Sequence, residues 1–350
     1  MNTLNLSCNN YVATENLLQD YQGVVTASSV PTETNVIKYN SGDVLFSNIR
    51  PYLKKVWLAD RNGGCSADVF VFRALSACIP DFVHYIIAND SFINFVMSGA
   101  KGVKMPRGDK EQMKTYNVGV PTKAEQRKIA DLLRLIDERI ATQNKVIDKL
   151  QSLIKGICNK LLYAGDGMPI SLGEILIERT EKTKENNQHE VLSSTVKGIF
   201  SQRDYFSKDI ASENNIGYKV IHLHDVVLSP QNLWMGNINY NDIFDIGIVS
   251  PSYKVFSIKD GYDKQYMAAL LKTHRALYNY MQVSEQGASV VRRNLNMEAF
   301  SQLVFKIPSL EKQQRIGNAI SELKLRLENG NKLKTMYEKQ KQYLLRQMFI

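Results

Sequence analysis

A long segment occurs twice in this chain and limits the folds it can adopt more than any other feature. Residues 121–163 begin PTKAEQRKIADLLRLIDERI and residues 308–350 begin PSLEKQQRIGNAISELKLRL, and a shift of 187 residues aligns them without a gap. Both copies begin with proline, and Gln126 falls on Gln313. A repeat of this kind indicates that one structural unit is present in two copies.

The residues ahead of each copy are also similar, although less closely. GDVLFSNIR (42–50) resembles HDVVLSPQN (224–232), SADVFVF (66–72) matches SPSYKVF (250–256), and KGVKMPR (101–107) roughly matches QGASVVR (286–292). The chain is therefore predicted to contain a globule, a helix, a second globule and a second helix. The predicted boundaries of these four parts are 1–120, 121–163, 164–307 and 308–350.

Each globule is predicted to combine helices and strands, so the fold class is α+β. Short segments rich in β-forming residues lie between turn residues such as Gly, Pro and Asn. These predicted strands are Val44–Ser47, Val69–Arg73, Val226–Ser229 and Tyr253–Phe256. The predicted helices of the globules are Phe82–Met97 and Lys264–Met281.

The repeated segment is predicted to form a long helix with a coiled-coil seam. Thr122 and Glu125 form a capping-box pattern at its start, and apolar residues then recur at spacings of four and three. Forty helical residues span roughly 60 Å, which is too long for one globular core, so we expect the two helices to pair antiparallel within one chain. The alternative is that each helix packs on its own globule or dimerises between chains. The seam residues are Ile129, Leu133, Ile136, Ile140, Ile147, Leu150, Ile316, Ile320, Leu323 and Leu327.

The seam is less regular in the second copy than in the first. Gly330, Lys334 and Lys341 fall on positions that are apolar in an ideal heptad pattern. We therefore expect a kink or a shift of register near Asn329–Asn331.

The positive charge of the chain is concentrated in the two repeats. The formal net charge is +9, to which residues 121–163 contribute +4 and residues 308–350 contribute +5, while the remainder is neutral overall. A positive surface suits a nucleic-acid partner, although a solvated helix surface explains the same excess. Hydrophobic residues at 44% and charged residues at 23% exclude a disordered or fibrous chain.

The sequence offers no sign of membrane insertion, secretion or paired-cysteine chemistry. No apolar run approaches the ~20 residues of a membrane span, and Met1–Tyr11 lacks the pattern of a signal peptide. The four cysteines are scattered and form no CxxC pair of the kind that binds zinc or acts in redox reactions. We expect a cytoplasmic protein with free thiols.

Motifs for catalysis or cofactor binding are also missing. The chain lacks the phosphate-binding patterns GxxxxGK[ST] and GxGxxG. His222 and His224 could face one side of a strand as a metal pair does, but with no recognisable third ligand they are interpreted as surface or capping residues. Residues 250–253 (SPSY) resemble only faintly a signature of amino-methyltransferases, and a strand entry explains them better. We expect no catalytic residues, no cofactor and no metal.

Polar and basic loops recur at matching places in the two globules and suit DNA. Lys and Arg neutralise phosphates, while Arg, Asn and Gln can pair with base edges. Any one of these residues could simply lie in a solvated loop, but their recurrence in both globules favours DNA binding. The candidates are Arg50, Lys54, Lys55, Lys101, Lys104 and Arg107 in the first globule, and Gln231, Asn232, Trp234, Arg292, Arg293 and Asn294 in the second.

This arrangement resembles the specificity (S, or HsdS) subunits of type I restriction–modification systems over nearly the whole chain. The most specific part is the twin pattern Pro-x-x-x-(Glu/Lys)-Gln-x-(Lys/Arg)-Ile at 121–129 and 308–316, and GDVLFS (42–47) resembles the strand entry of the family. The resemblance implies two target-recognition domains that each bind half of a split DNA site. It also implies that two antiparallel helices separate them and dock two methyltransferase subunits. The resemblance further implies that restriction subunits join through that complex and that the partners perform all the catalysis.

The first globule departs from the family pattern at its start. The second globule begins with ISLGEI (170–175), a typical opening 55 residues before Asp225, whereas only 42 residues precede Asp43. We therefore expect a shortened first recognition domain. The alternatives to a working specificity subunit are a coiled-coil scaffold, an inactive recombination allele, and a methyltransferase or nuclease that acts alone.

Overall fold

The structure, a computed structural model, describes residues 6–32, 35–161, 167–205, 214–286 and 293–349. It divides into two units, each of which contains one globule and parts of both long helices. Unit 1 comprises Met1–Lys145 and Asn331–Ile350, and unit 2 comprises Val146–Gly330. Each unit is described by itself below.

The globule of unit 1 is built from short strands followed by short helices. These elements are β1 (Tyr11–Val12), β2 (Ile37–Tyr39), β3 (Val44–Ser47), β4 (Val56–Leu58), β5 (Gly63–Cys65), β6 (Val69–Phe72), α1 (Pro80–Ile87), α2 (Asp90–Ser98), α3 (Lys110–Met113) and the first long helix, α4 (Lys123–Leu161), which continues into unit 2.

The globule of unit 2 repeats this order with additional elements. These are β7 (Met168–Ser171), α5 (Leu172–Ile175), β8 (Leu176–Glu178), β9 (Leu192–Thr195), β10 (Gly198–Ser201), α6 (Gln202–Tyr205), β11 (Lys219–His222), β12 (Val226–Leu228), β13 (Ile238–Tyr240), β14 (Ile246–Val249), β15 (Lys254–Ile258), α7 (Lys264–Leu270), α8 (His274–Gln282), β16 (Ser284–Gln286), β17 (Arg293–Leu295), α9 (Met297–Ser301), β18 (Val304–Ile307) and the second long helix, α10 (Leu310–Met348), which continues into unit 1.

The central strand of each unit is covered on both faces. In unit 1 the antiparallel sheet β4-β3-β6 has β3 in the middle; Val44 and Phe46 pack with residues of α1 and α2, whereas Leu45 packs with residues of β1, β2 and β5. In unit 2 the sheet is β13-β12-β15-β8, and Val226 and Val227 of β12 join the corresponding two clusters. Alternate side chains of a strand point to opposite faces, which explains why these short strands are apolar throughout.

The predicted strands are present, but each predicted helix of a globule is two helices. Phe82–Met97 divides into α1 and α2, and Lys264–Met281 divides into α7 and α8. At the breaks, the side chains of Asn89 and Thr273 accept hydrogen bonds from backbone N–H groups of the following helix. Residues of this kind favour helix starts over helix interiors because their side chains compete for backbone groups.

A buried aspartate at the start of each central strand supports the predicted repeat. The carboxylate of Asp43 accepts two hydrogen bonds from the guanidinium of Arg73, at 2.8 and 2.6 Å. It also accepts one from the backbone N–H of Asn40 at 2.7 Å. In unit 2, the carboxylate of Asp225 accepts a hydrogen bond from the guanidinium of Arg179 at 2.8 Å. The two arginines come from different strands, since Arg73 follows β6 whereas Arg179 follows β8.

We expect Asp43→Asn to lower the free energy of unfolding of unit 1 by about 1–3 kcal/mol at neutral pH, because charge-assisted hydrogen bonds are lost at a buried site. Burial opposes ionisation of Asp43, but Arg73 and the N–H of Asn40 outweigh it and hold the pKa of this carboxyl below its usual range. A lowered folded pKa stabilises the fold above the unfolded pKa, about 3.9, and this contribution is lost as the pH falls through the folded value.

Chemical denaturation between pH 7 and pH 3 checks this expectation. The difference between wild type and Asp43→Asn should shrink below about pH 4. Asp60→Asn is the matched control, because the side chain of Asp60 is 66% exposed. A difference that stayed constant across the acid range would show that the ion pair is not its source.

A buried glutamine joins the start of each long helix to its globule. In unit 1 the side chain of Gln126 accepts from the N–H of Ile79 and donates to the carbonyls of Ala77 and Pro121, all at 2.9 Å. In unit 2 the side chain of Gln313 accepts from the N–H of Asp263 and donates to Pro308 at the same distance. The repeated Pro-x-x-x-x-Gln pattern therefore fixes where the helix leaves the globule. The predicted capping box of Thr122 and Glu125 is also present.

The two long helices run antiparallel where they meet in unit 1. Leu133 of α4 lies in one cluster with Leu345 and Phe349 near the end of α10. Further along α4, Asp137 forms an ion pair of 2.5 Å with Lys341, and Arg139 lies over the ring of Tyr337. The partner numbers fall as the α4 numbers rise, which is the predicted direction. The seam residues of this unit are Ile129, Leu133, Ile136 and Ile140, and all of them are buried or half-buried.

The same pairing is found in unit 2. Ile157 and Cys158 of α4 pack against the cluster that contains Ile316 and Ile320 of α10. The other seam residues here are Ile147, which is buried, and Leu150, Leu323 and Leu327, which are half-buried.

Of the kink or shift of register predicted near Asn329–Asn331, the shift is wrong, and the kink stays a prediction. Helix α10 is unbroken there, and the buried or half-buried positions continue in the same heptad through Gly330, Lys334 and Lys341. The ammonium group of Lys341 contacts the Asp137 carboxylate and lies 5.6 Å from the centre of the Tyr85 ring. A lysine is tolerated at this position because its stem packs on the seam while its charge is paired.

The globule of unit 2 begins with two strands, β7 and β8, that have no counterpart among the described residues of unit 1. Strand β7 pairs with β18, and β8 adds a fourth strand to the central sheet. The segment of unit 1 that corresponds to β18, residues 117–120, is described and forms no strand. In the described part of the chain, no helix has an apolar stretch sufficient to cross a membrane.

Candidate nucleic-acid interface

Two loops meet beyond the end of β3 in unit 1. The β3–β4 loop (residues 48–55) contains a tight helical turn at Pro51–Leu53. The N–H of Arg50 donates to the carbonyl of Pro106 at 2.8 Å, and the N–H of Gly108 donates to Asn48 at 3.3 Å. The predicted segments 50–55 and 101–107 are therefore neighbours in the structure.

The basic residues of the 101–107 loop lie on the surface, and two of them are paired with carboxylates. Lys101 and Arg107 exchange two backbone hydrogen bonds of 2.9 Å. The side chain of Lys101 contacts Asp109 at 2.8 Å, and that of Arg107 contacts Asp68 at 2.9 Å. Exposed pairs of this kind contribute little to stability, so a phosphate could replace the carboxylate at low cost. Lys104 is exposed at the tip.

Two of the candidate lysines are instead directed into unit 1. Lys54 forms an ion pair of 2.8 Å with Asp90 and lies over the ring of Tyr21, whose hydroxyl donates to the same carboxylate at 3.0 Å. Lys55 donates to the carbonyl of Thr14 at 2.6 Å, and burial lowers the pKa of its ammonium group. These lysines hold the β3–β4 loop in place.

In unit 2, the β12–β13 loop likewise meets β17 beyond the end of β12. We call each of these two meeting points a loop junction. The N–H of Arg293 in β17 donates to the carbonyl of Gln231 in the β12–β13 loop at 3.1 Å. The guanidinium of Arg293 lies 4.5 Å from the ring centre of Trp234. Gln231 and Asn294 are exposed, and Asn232 is half-exposed with no side-chain capping bond. Arg292 lies outside the described residues.

The turns of the two loops correspond residue by residue. Pro51–Leu53 and Leu233–Met235 are both short helical turns, and each ends in a left-handed residue. That residue is Gly236 in unit 2, with a φ of 93°, and Lys54 in unit 1, with a φ of 54°. Left-handed backbone is unfavourable for residues other than glycine, so the contacts of Lys54 stabilise a strained loop.

Several residues that support the loop of unit 2 were not predicted from the sequence. Lys272 donates to the carbonyls of Gly236 and Val196, at 3.1 and 3.4 Å, and nothing in its surroundings in the sequence marks it. Asn237 and Asn239 are buried and bond to Ser194 and to each other. Their alternation with the apolar residues at the start of β13 was a signal for a buried polar network.

The two histidines take separate partners and form no pair. The Nε2 of His222 lies 2.8 Å from a carboxylate oxygen of Glu181, and the Nδ1 of His224 lies 2.6 Å from the hydroxyl of Tyr240. Both contacts fit the interpretation of these histidines as surface or capping residues.

A family model matches most of the chain, and solved structures share its fold. The family model described as "Type I restriction modification DNA specificity domain" matches residues 10–152 and 171–336. An S subunit of a type I restriction–modification system from M. genitalium has a TM-score of 0.60 and 15% identity, with 97% of this chain and 88% of that chain covered. A chain from a structural study of complex assembly and conformational transition of the type I R-M system has a TM-score of 0.59 and 15% identity, with 97% and 90% covered. No curated protein matches the chain.

Proposed function

We propose, on the premise that this chain belongs to the family of type I restriction–modification DNA specificity domains, that it selects the DNA target of such a complex and performs no catalysis itself. Each unit binds one half of a split site in double-stranded DNA. The observation that carries the proposal is the loop junction, which occurs at corresponding positions of both units and contains basic side chains in each.

The chemistry of the junctions suits duplex DNA. Lys101, Lys104 and Arg107 supply positive charge for phosphates in unit 1, and Gln231 and Asn232 supply amides that can pair with base edges in unit 2. The backbone bonds between the loops hold these groups in a fixed arrangement, which specific binding requires. A coiled-coil scaffold would not need such a junction in each globule.

Binding by the complex reconstituted with its methyltransferase subunits tests this proposal. Fluorescence anisotropy at fixed salt should show that a duplex with the target site binds at least about a thousandfold more tightly than one without it. The methyltransferase subunits alone are the control and should show no such preference. Equal binding to all duplexes would favour the scaffold.

The non-catalytic role has its own test. Ultraviolet crosslinking of labelled S-adenosylmethionine to the complex should label the methyltransferase subunits and leave this chain unlabelled. A labelled chain would favour the alternative of a methyltransferase that acts alone.

We further propose that the long helices dock two methyltransferase subunits, and that restriction subunits join through this complex. The support is an exposed apolar surface on the helices of each unit, in segments that carry the whole excess of positive charge. Leu132 and Leu135 are 40% and 50% exposed in unit 1, and Leu153 and Leu325 are 49% and 51% exposed in unit 2. Large exposed apolar side chains in a group mark interaction surfaces.

Because the two units are repeats, we expect two methyltransferase subunits for each copy of this chain. Native mass spectrometry of the co-expressed complex should give this ratio. Leu135→Asp should weaken assembly, because it places a charge in the apolar surface, while exposed Asp131→Ala serves as the control on the same helix. A complex with one methyltransferase subunit would contradict the stoichiometry.

A further inference from the structure

Two arginines of the loop junctions differ from the cations there that are paired with carboxylates. Lys54, Lys101 and Arg107 each contact an aspartate at 2.8–2.9 Å. Arg50 and Arg293 form no ion pair with any carboxylate in the described part of the chain. In both, the Nε atom is buried and has no hydrogen-bond partner among the described residues.

Both arginines are also fixed at the point where the loops meet. Arg50 has a left-handed backbone with a φ of 51° and donates its N–H to Pro106 at 2.8 Å. Arg293 donates its N–H to Gln231 at 3.1 Å, and its guanidinium lies on the ring of Trp234. Arg50 follows β3, whereas Arg293 belongs to the strand after the segment that corresponds to residues 101–107. Each junction therefore contains one such arginine, but the two arginines come from different segments of the repeat.

A guanidinium in this state is suited to a base more than to a phosphate. A phosphate contact needs only a positive charge, which a mobile exposed side chain supplies. Stacking on Trp234 and the buried Nε atom hold the guanidinium of Arg293 in one orientation, and orientation is what recognition of a base edge requires. Guanine offers two acceptors, O6 and N7, in the major groove, and a bidentate arginine matches them.

We infer that Arg50 and Arg293 each bind a guanine, through O6 and N7, in the half-site of their own unit. This inference rests on the proposed function and extends it to a base and to two specificity-determining residues. The inference therefore predicts at least one guanine in each half of the target, on either strand.

Base analogues test the inference with the wild-type complex, so that no variant has to fold. After the target has been determined, each guanine is replaced singly by 7-deazaguanine, which lacks the N7 acceptor, and binding is measured by anisotropy. One replacement in each half-site should weaken binding about tenfold or more. In complexes with Arg293→Ala, the penalty in the second half-site should vanish while that in the first remains. Arg50→Ala should give the reverse.

Arg107→Ala is the matched control, because this arginine is paired with a carboxylate and exposed. It should weaken binding to all duplexes by a similar factor and leave both penalties intact. If Arg293→Ala behaved in the same way, Arg293 would be a phosphate contact and the inference would be wrong. A half-site without guanine on either strand would also overturn it. In both cases specific binding would persist, which distinguishes this failure from a failure of the proposed function.

Discussion

Replacement of Leu133 and Ile136 together by aspartate is expected to lower the free energy of unfolding of unit 1 by several kcal/mol. The two residues are 0% and 5% exposed, and Leu133 lies in one cluster with Leu345 of the partner helix and with residues of the globule. A carboxylate at such a position either remains unpaired in an apolar environment or takes up a proton, and both outcomes destabilise the folded state. Chemical denaturation of the purified chain measures the effect.

The control for this variant lies on the same helix. Leu132 and Leu135 are 40% and 50% exposed, so Leu132→Asp with Leu135→Asp should change the stability by no more than about 0.5 kcal/mol. If the seam variant does not yield folded protein, Leu133→Ala is the milder substitution, with an expected loss of about 2–5 kcal/mol. Equal stabilities of the seam and control variants would refute the helix pairing.

Asn232→Ala is expected to relax the recognition of one base pair in the second half-site and to leave the first half-site unchanged. The side chain of Asn232 is half-exposed beside Trp234 and makes no capping bond within its own turn, so its amide is available to a base edge. Loss of such a contact removes about 1–3 kcal/mol of discrimination. Sequencing of methylated bases in cells that carry the variant complex shows which positions are relaxed.

Lys306→Ala provides the comparison for Asn232→Ala, because Lys306 is an exposed residue of unit 2 outside the loop junction. It should leave the methylated sequence as it is in wild type. A change of the first half-site by Asn232→Ala, or no change in either half, would contradict the assignment of one half-site to each unit.

The long helices and the repeat could be predicted from the sequence because they depend on periodic patterns. The seam from Ile129 to Leu150 has the spacing of a heptad, and this spacing requires no knowledge of distant residues. The same holds for Asp43 and Gln126, whose counterparts Asp225 and Gln313 occur at matching positions of the second copy. In both units these side chains make the same kind of contact.

The direction of individual loop side chains could not be predicted, because it depends on residues far away in the sequence. Lys54 and Lys55 stand in a basic segment, but Asp90 and the carbonyl of Thr14 draw them into the fold. Lys272 supports the β12–β13 loop from a helical region with no motif. The sequence also favoured one helix in place of α1 and α2, because the pattern of apolar residues continues across the break at Asn89.

The central claim is that each unit selects one half of a split DNA site, and methylome sequencing tests it most directly. The experiment compares a host that carries this chain and its methyltransferase subunits with a host that carries the methyltransferase subunits alone. The account predicts methylation at a bipartite sequence, with two specified segments separated by unspecified bases, and only when this chain is present. Methylation at one continuous sequence, or a pattern that did not depend on this chain, would contradict it.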